Sequence, residues 1–220
     1  MNWLKSQFEM FAIIASIALL ISSCKKDLTG DTVIYSNDFE KSDLTNINNG
    51  YVEIFNGNHV LGRYFNGYFE LNLKDLPVHN QVNISFDLYI HDSWDGNANY
   101  SNNYNGPDLW KMSVDSATYI YTTFSNVSCP VGYICPPQSY PGTYPATNNP
   151  RTGSYANLPA ACLNKGTPDG TSVYTINKTI AHTKSTVLLK CADYLKENGV
   201  ADRLCSESWS VDNLKVTLIK

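Results

Sequence analysis

Asp92, Asp95, Asn97 and Asp108 place four oxygen-bearing side chains in one stretch, with Trp94 and Trp110 among them. Grouped at an exposed edge, they would form a rim in which an indole stacks on a pyranose face and the oxygens take its hydroxyls. The same residues fit a structural role. Trp110 shares parity with Met112 and Val114 and would be core, while Asp92, Asp95 and Asp108 would bond turn amides. Their spacing does not match an EF-hand loop, whose oxygen ligands recur at alternate positions before a glycine. A second group lies in Ser139-Tyr140-Pro141-Gly142-Thr143-Tyr144-Pro145, with Tyr133 before it and Tyr155 after it. Tyr140 and Tyr144 on a proline-stiffened loop could present rigid amphipathic faces to a sugar or a protein, or cover the edge of the domain.

Catalytic patterns do not emerge. There is no Gly-x-Ser-x-Gly elbow and no His-Glu-x-x-His pair, and no Glu-x-Asp-x-x-Glu arrangement sets two carboxylates on one strand face. His59, His79, His91 and His182 are scattered and read as surface or turn residues. A formal charge of −4 shows no basic excess for a polyanion, which excludes nucleic acid as a partner.

The elements that must hold these residues are strands. Val82 to His91 alternates throughout, with Val82, Ile84, Phe86, Leu88 and Ile90 on one face and Asn83, Ser85, Asp87, Tyr89 and His91 on the other. Similar stretches occur at Thr32 to Ser36, Tyr51 to Phe55, Tyr64 to Leu73 around a turn at Asn66-Gly67, and Trp110 to Val114. Others are Tyr119 to Phe124, Val173 to Ile180, Thr186 to Cys191 and Trp209 to Ile219. With 15 Tyr, 13 Gly and 10 Pro, this predicts two stacked antiparallel sheets with turn-rich connections. A short helical turn is expected only at Cys191 to Glu197, stopped by Asn198-Gly199. The stretch from Val127 to Gly170 is Pro-rich and lacks a strand pattern, so it is expected to be a long functional or cross-linked loop.

The N-terminus reads as an address. Lys5 precedes an apolar run from Met10 to Ile21, too short to span a bilayer and suited to a secretory signal. Ile21-Ser22-Ser23-Cys24 resembles a bacterial lipobox. That resemblance implies cleavage of residues 1–23, lipidation of Cys24 and a polar tether over 24–31, ahead of a domain over 32–220. Acyl chains on Cys24 would anchor the protein to a membrane. Lys25, in place of the family's inner-membrane Asp, implies the outer membrane, in either leaflet. Five cysteines then remain in an oxidising compartment. Cys129 and Cys135 are close enough for a local bridge. Cys191 and Cys205 flank an irregular segment that a bridge would staple, which leaves Cys162 odd, although Cys162 with Cys191 or Cys205 is equally allowed. The spacings lack paired zinc ligands.

Several runs together resemble the extracellular jelly-roll modules of the concanavalin A-like lectin superfamily. They are Phe86 to Asn97, Gly106-Pro107-Asp108-Leu109-Trp110 and Thr122 to Asn126, with an opening Ser36-Asn37-Asp38-Phe39-Glu40 and a closing Glu207 to Val216. The resemblance implies an all-β jelly-roll sandwich, from which the Pro- and Cys-rich segment 127–170 departs as a long insertion. It also implies a structural calcium shared by the opening and closing segments, with Glu40 and Asp212 as ligands and Asp38 a lesser one. The alternative is that Glu40 is a surface charge and Asp212 caps a bulge before Asn213. The expected function is a non-catalytic envelope module binding glycan or another extracellular ligand, with adhesion to a protein as the alternative and glycoside hydrolysis behind both.

Overall fold

The structure is a computed structural model that describes residues 30–98, 107–127, 129–132, 135–163, 165–197 and 201–220. The signal segment, Cys24 and Tyr133 lie outside the described residues. Among those described, no helix is long and apolar enough to cross a membrane.

Among the described residues, twelve strands build two antiparallel sheets: β1 (Thr32–Asn37), β2 (Ile47–Asn48), β3 (Val52–Phe55), β4 (Asn58–Tyr64), β5 (Tyr68–Leu73), β6 (Gln81–Asp92), β7 (Leu109–Val114), β8 (Ala117–Thr123), β9 (Ala156–Leu158), β10 (Thr171–Ala181), β11 (Val187–Tyr194) and β12 (Glu207–Ile219). The seven-stranded sheet has the order β3-β4-β12-β6-β10-β9, with β1 also on β12, and the five-stranded sheet has the order β2-β5-β11-β7-β8. From β5 onward the chain passes repeatedly from one sheet to the other. The all-β sandwich expected from the sequence is therefore the observed architecture.

β6 shows why. Its even residues Val82, Ile84, Phe86, Leu88 and Ile90 all point into the core, where they meet Phe69, Leu71, Trp110, Leu189 and Trp209. Such a strand cannot slip by one residue without exposing this whole row. The parity argument also places Trp110 correctly in the core.

The helical turn expected over Cys191 to Glu197 is not there. Cys191, Ala192, Asp193 and Tyr194 continue β11, Cys191 and Ala192 pairing with both β5 and β7, and Asp193 and Tyr194 with β7 alone. Asp193 is buried and its carboxylate accepts the Asn66 and Gly67 amides at 2.6 and 2.8 Å, so the strand end caps the turn between β4 and β5. The one helix among the described residues is α1 (Arg203–Ser206), capped by Asp202, whose side chain accepts the Cys205 amide.

The cysteine pairing also differs from the staple expected between Cys191 and Cys205. Cys129 bonds Cys135 as anticipated, while Cys205 bonds Cys162, their Cα atoms 5.2 Å apart. Cys191 is a buried free thiol. The cause is parity, because Leu189, Cys191 and Asp193 share the inward face of β11. Burial alone pushes the Cys191 thiol well above its ordinary range.

Segment 127–170 is an ordered insertion over most of its described length. Its organiser is the fully buried Gln138. The Gln138 amide donates to the Tyr140 and Thr152 carbonyls at 3.0 and 2.9 Å, and its Oε1 accepts from the Arg151 amide and the Tyr174 hydroxyl. One carboxamide thus substitutes for the ladder that the prolines forbid.

Candidate ligand-binding face

The acidic and aromatic cluster around Trp94 is not an exposed rim. Trp94 is 0% exposed, stands edge-on to Phe124, and donates from Nε1 to the Ser208 carbonyl at 2.9 Å. Asp92 is buried and accepts the Cys162 amide, and Asp108 accepts the Asp95 amide at 2.6 Å through Oδ2. Asn97 pins the insertion to the sandwich: its Nδ2 donates to the Ala146 carbonyl at 2.8 Å, and its Oδ1 accepts from the Ser139 and Thr123 hydroxyls. Asp92 and Asp108 thus bond amides, as in the structural alternative, while Trp94 is packed away and Asn97 ties the sandwich to the insertion. An indole with no exposed surface cannot stack on a sugar.

The loop tyrosines cover the domain edge. Tyr140 is half-buried against Phe124 and Tyr174, with ring centroids 5.0 and 5.2 Å away, and Tyr144 meets Tyr121 edge-on.

The expected calcium ligands do not form a cage. Both Glu40 oxygens accept from His59, from its amide at 3.0 Å and its Nδ1 at 2.9 Å, and these bonds hold the Glu40 carboxyl below its ordinary range. Asp212 accepts from Asn58 Nδ2 through Oδ2 and from the Asn213 amide through Oδ1, while Asp38 caps the Glu40 amide. Among the described residues no three His, Cys, Asp or Glu side chains converge on a metal-sized point. These residues do not fit the ion. Asp212 instead caps the bulge at which Asn213 takes a φ of 54°.

An open surface lies on the outward face of the seven-stranded sheet. β6 carries Asn83, Ser85, Asp87, Tyr89 and His91 there. They lie opposite Thr179, Asn177, Thr175, Val173 and Thr171 of β10, and Thr217, Lys215, Asp212, Ser210 and Ser208 of β12. One half of this face is closed. Phe55, Val60, Tyr89 and Val173 form a second apolar cluster beneath Ala156, Leu158 and Ala161. His91 is sealed under it between the Ser210 and Thr171 hydroxyls, and desolvation drives its pKa down to about 3. Three of the four histidines, His79, His91 and His182, are buried, against the surface placement the sequence suggests.

The other half of the face is open and polar. Asp87 accepts from the Thr175 hydroxyl at 3.2 Å and from Asn213 Nδ2 at 2.9 Å. Asn83 donates to Asn177 and Thr179. Tyr155 stands where the closed and open halves meet. It is 59% exposed, and its pKa is raised to about 12 by partial burial and by Asp87 and Asp212 beside it. Asp212 is itself raised to about 6, first by burial and then by Asp87 and Glu40, against the hydrogen bonds from Asn213 and Asn58. From Asp87 the surface continues into a groove of about 700 Å³ lined by Tyr35, Asn37, Asp43, Ser85, Asn213 and Lys215, among others. It offers donors and acceptors of both signs beside the apolar surface of Tyr35 and Phe86.

No family model matches the chain, and no curated protein matches it. Among solved structures it is similar to a family 35 carbohydrate-binding module from Clostridium thermocellum, at 12% identity and a TM-score of 0.38, over 86% of this chain and 98% of that one. The CBM22-2 xylan-binding domain of Paenibacillus barcinonensis Xyn10C gives 15% identity and a TM-score of 0.38, over 84% and 98%. The K2 cleaved adhesin domain of Lys-gingipain gives 12% and 0.34, over 84% and 97%. Likenesses at these scores assign no site, and the sandwich rests on its own strand order.

Sequence reasoning puts Ser85, Asp87 and Tyr89 on the polar side of β6 but does not single them out. The available signal is Asp87 at the centre of a strand whose outward neighbours are all hydrogen-bonding side chains.

Proposed function

We propose that this protein is a non-catalytic glycan-binding module, held at the outer membrane through lipidated Cys24, that takes an oligosaccharide across the open half of its seven-stranded sheet. The observation that carries the reading is the continuity from exposed Tyr155 through Asp87 into the groove. A sugar needs a flat apolar platform for its C–H face and fixed acceptors and donors for its hydroxyls. Tyr155 supplies the first, and Asp87, Thr175, Asn213 and Lys215 supply the second. Asp87 is already oriented by two hydrogen bonds, so little side-chain entropy is lost on binding.

The test is a glycan array followed by calorimetry on the best hit. Tyr155→Ala and Asp87→Ala should each weaken binding about tenfold or more, equivalent to roughly 1.4 kcal/mol, with unchanged circular dichroism. Full binding by both variants, or binding lost only in variants of Tyr140 and Tyr144, would overturn this placement. Silence on the array, with a protein cross-linked to this face in intact envelopes, would replace the glycan with a protein partner.

One observation favours a second reading. Asp87 and Asp212 are cross-strand partners, and the raised Asp212 beside Asp87 has the electrostatics of an acid and base pair. Against it, Asp212 is 1% exposed and both its oxygens are already engaged. Oligosaccharide cleavage that disappears in Asp212→Asn while binding persists would establish a hydrolase.

A further inference from the structure

His79 and His182 form a buried pair that the binding face does not use. His79 precedes β6 and is 1% exposed, and His182 follows β10 and is 8% exposed. His79 Nε2 lies 2.7 Å from His182 Nδ1, with the ring planes 11° from parallel. Nitrogens this close are at hydrogen-bond distance and too near for rings stacked face to face, so the imidazoles meet edge to edge through a bridging proton. The outer nitrogens are also engaged, His79 Nδ1 with the Pro77 carbonyl at 2.6 Å and His182 Nε2 with Asp115 Oδ2 at 3.1 Å. Asp115 lies in the turn between β7 and β8, and its Oδ1 accepts the Leu188 amide of β11 at 3.0 Å. This chain of bonds therefore runs from the ends of β6 and β10 in the seven-stranded sheet to β11 and the β7–β8 turn in the five-stranded sheet.

The charge of the pair follows from its partners. A carbonyl only accepts, so His79 Nδ1 carries a proton. Against burial, which acts to raise it, the Asp115 carboxyl is held below its ordinary range by the Leu188 amide, Lys184 and His182. As a carboxylate it only accepts, so His182 Nε2 carries a second proton, and the bridge needs a third. Two neutral imidazoles carry one N–H each, so the pair holds one proton in excess. The charged groups facing it are Asp115 and, 3.2 Å from the same Oδ2, the mostly exposed Lys184 ammonium. The Asn80 carbonyl accepts the His182 amide, and Tyr119 of β8 lines a cavity of about 220 Å³ beside His182 that gives the proton a way to water. Asp75 and Lys220 stand next to Leu76 and Ile219, whose backbone groups bond Ser185 and Asn80 at this end of the sandwich.

We propose that His79 and His182 are a clasp set by one shared proton, which fastens the two sheets near neutral pH and loosens when that proton is lost or a second one is gained. Loss of the proton to water leaves two N–H groups for three bonds, so one buried contact goes unmade. A second proton puts N–H against N–H at the bridge and breaks it. The sign of the pH dependence follows from the unfolded chain, whose two histidines take up both excess protons below an ordinary value of about 6.5 and release both above it. Below that value the unfolded chain binds more protons than the clasp, and stability rises with pH. Above it the clasp binds more, and stability falls with pH. The clasp contributes most near the middle, and it does not depend on the glycan reading.

The test is a proton count by NMR on the full chain labelled with ¹⁵N in its histidines, where the nitrogen shift tells a protonated ring nitrogen from a bare one. Of the four ring nitrogens of His79 and His182, three should carry hydrogen on a plateau from about pH 5.5 to about pH 7.5, around the ordinary histidine value. Two on that plateau would mean a neutral pair, and a smooth passage from four to two would mean independent rings; either overturns the proposal. Thermal melts supply the second readout. The Tm of wild type minus that of the double variant His79→Gln, His182→Gln should peak near pH 6.5 and fall by about 3 °C or more toward both pH 5 and pH 9. The titration of Asp212 is common to both proteins and cancels in this difference. A flat or one-sided difference would overturn the clasp, and if the double variant does not fold, the proton count on wild type decides alone.

Discussion

Two regions of this molecule carry the same kinds of side chain and differ in exposure. Segment 92–110 concentrates Asp, Asn and Trp and draws attention in the sequence, yet it is interior, with Trp94 and Asp108 at 0% exposure. The outward face of β6 reads as the bland side of an amphipathic strand, yet it opens onto a groove of about 700 Å³ and has Tyr155 at its border. Oxygens and rings serve as joinery in the first place and as a platform in the second. What separates the two is whether a second layer covers them, and that depends on where the insertion 127–170 lies down.

The largest effect expected from breaking this comparison is at Trp94. Trp94→Ala removes a buried indole, its contact with Phe124 and a hydrogen bond to Ser208, and should destabilise the fold by about 3–5 kcal/mol in urea unfolding. Loss of glycan binding in that variant would follow from unfolding and carry no information about the site. A second large effect is expected at Gln138. Gln138→Ala deletes the partner of several buried backbone groups and should cost about 2–4 kcal/mol, with amide exchange accelerating first in 138–152.

How much of this was legible in the sequence follows from the same distinction. β6 can be read residue by residue because one of its faces meets the core and the other is polar throughout. β4 cannot: Val60 packs outward under the second apolar cluster, Leu61 packs into the main core, and Gly62 is also buried, so three successive buried residues erase the alternation. β2 and β9, at two and three residues, are too short to carry a period. The end of β11 reads as a helical turn because Ala192, Leu195 and Lys196 are good helix formers. Pairing with β5 and β7, together with Asp193 capping a distant turn, overrides that local preference. At the site, residue types are visible in the sequence but their cover is not, so Trp94 and Asp108 look available and Asp87 looks ordinary.

A smaller effect, with a definite pH signature, is expected at Asp212. Its folded pKa of about 6 lies above the ordinary aspartate value of 3.8, so folding favours its protonated form. This carboxyl is therefore neutral in its effect below about pH 4, and its destabilising effect builds between about pH 4 and pH 6 and is complete above that. Asp212→Asn should accordingly match wild type at pH 4 and exceed it by up to about 3 kcal/mol at pH 8, since the gap between 3.8 and about 6 is roughly two tenfold steps in proton affinity, each worth about 1.36 kcal/mol. Thermal melts across that range check it. A variant less stable than wild type at pH 8 would mean that the bond from Asn58 outweighs the repulsion from Asp87 and Glu40.

The smallest effect on stability is expected at Tyr155, and it is the most informative about the comparison. This ring is 59% exposed, and the apolar cluster next to it is closed by Ala156, Leu158 and Ala161 rather than by Tyr155 itself. Tyr155→Ala should therefore change stability by less than about 0.5 kcal/mol, as surface substitutions do. The Tyr155 amide donates to the Val173 carbonyl at 2.9 Å, and this bond survives the substitution, so the backbone leading into β9 stays in place. Set beside Trp94→Ala, the two variants separate ring from scaffold. One removes an aromatic that the fold requires, and the other removes an aromatic that the fold leaves facing solvent beside Asp87. If Tyr155→Ala proved as destabilising as Trp94→Ala, the ring would be a structural cover like Tyr140 and the open half of the sheet would lose its platform.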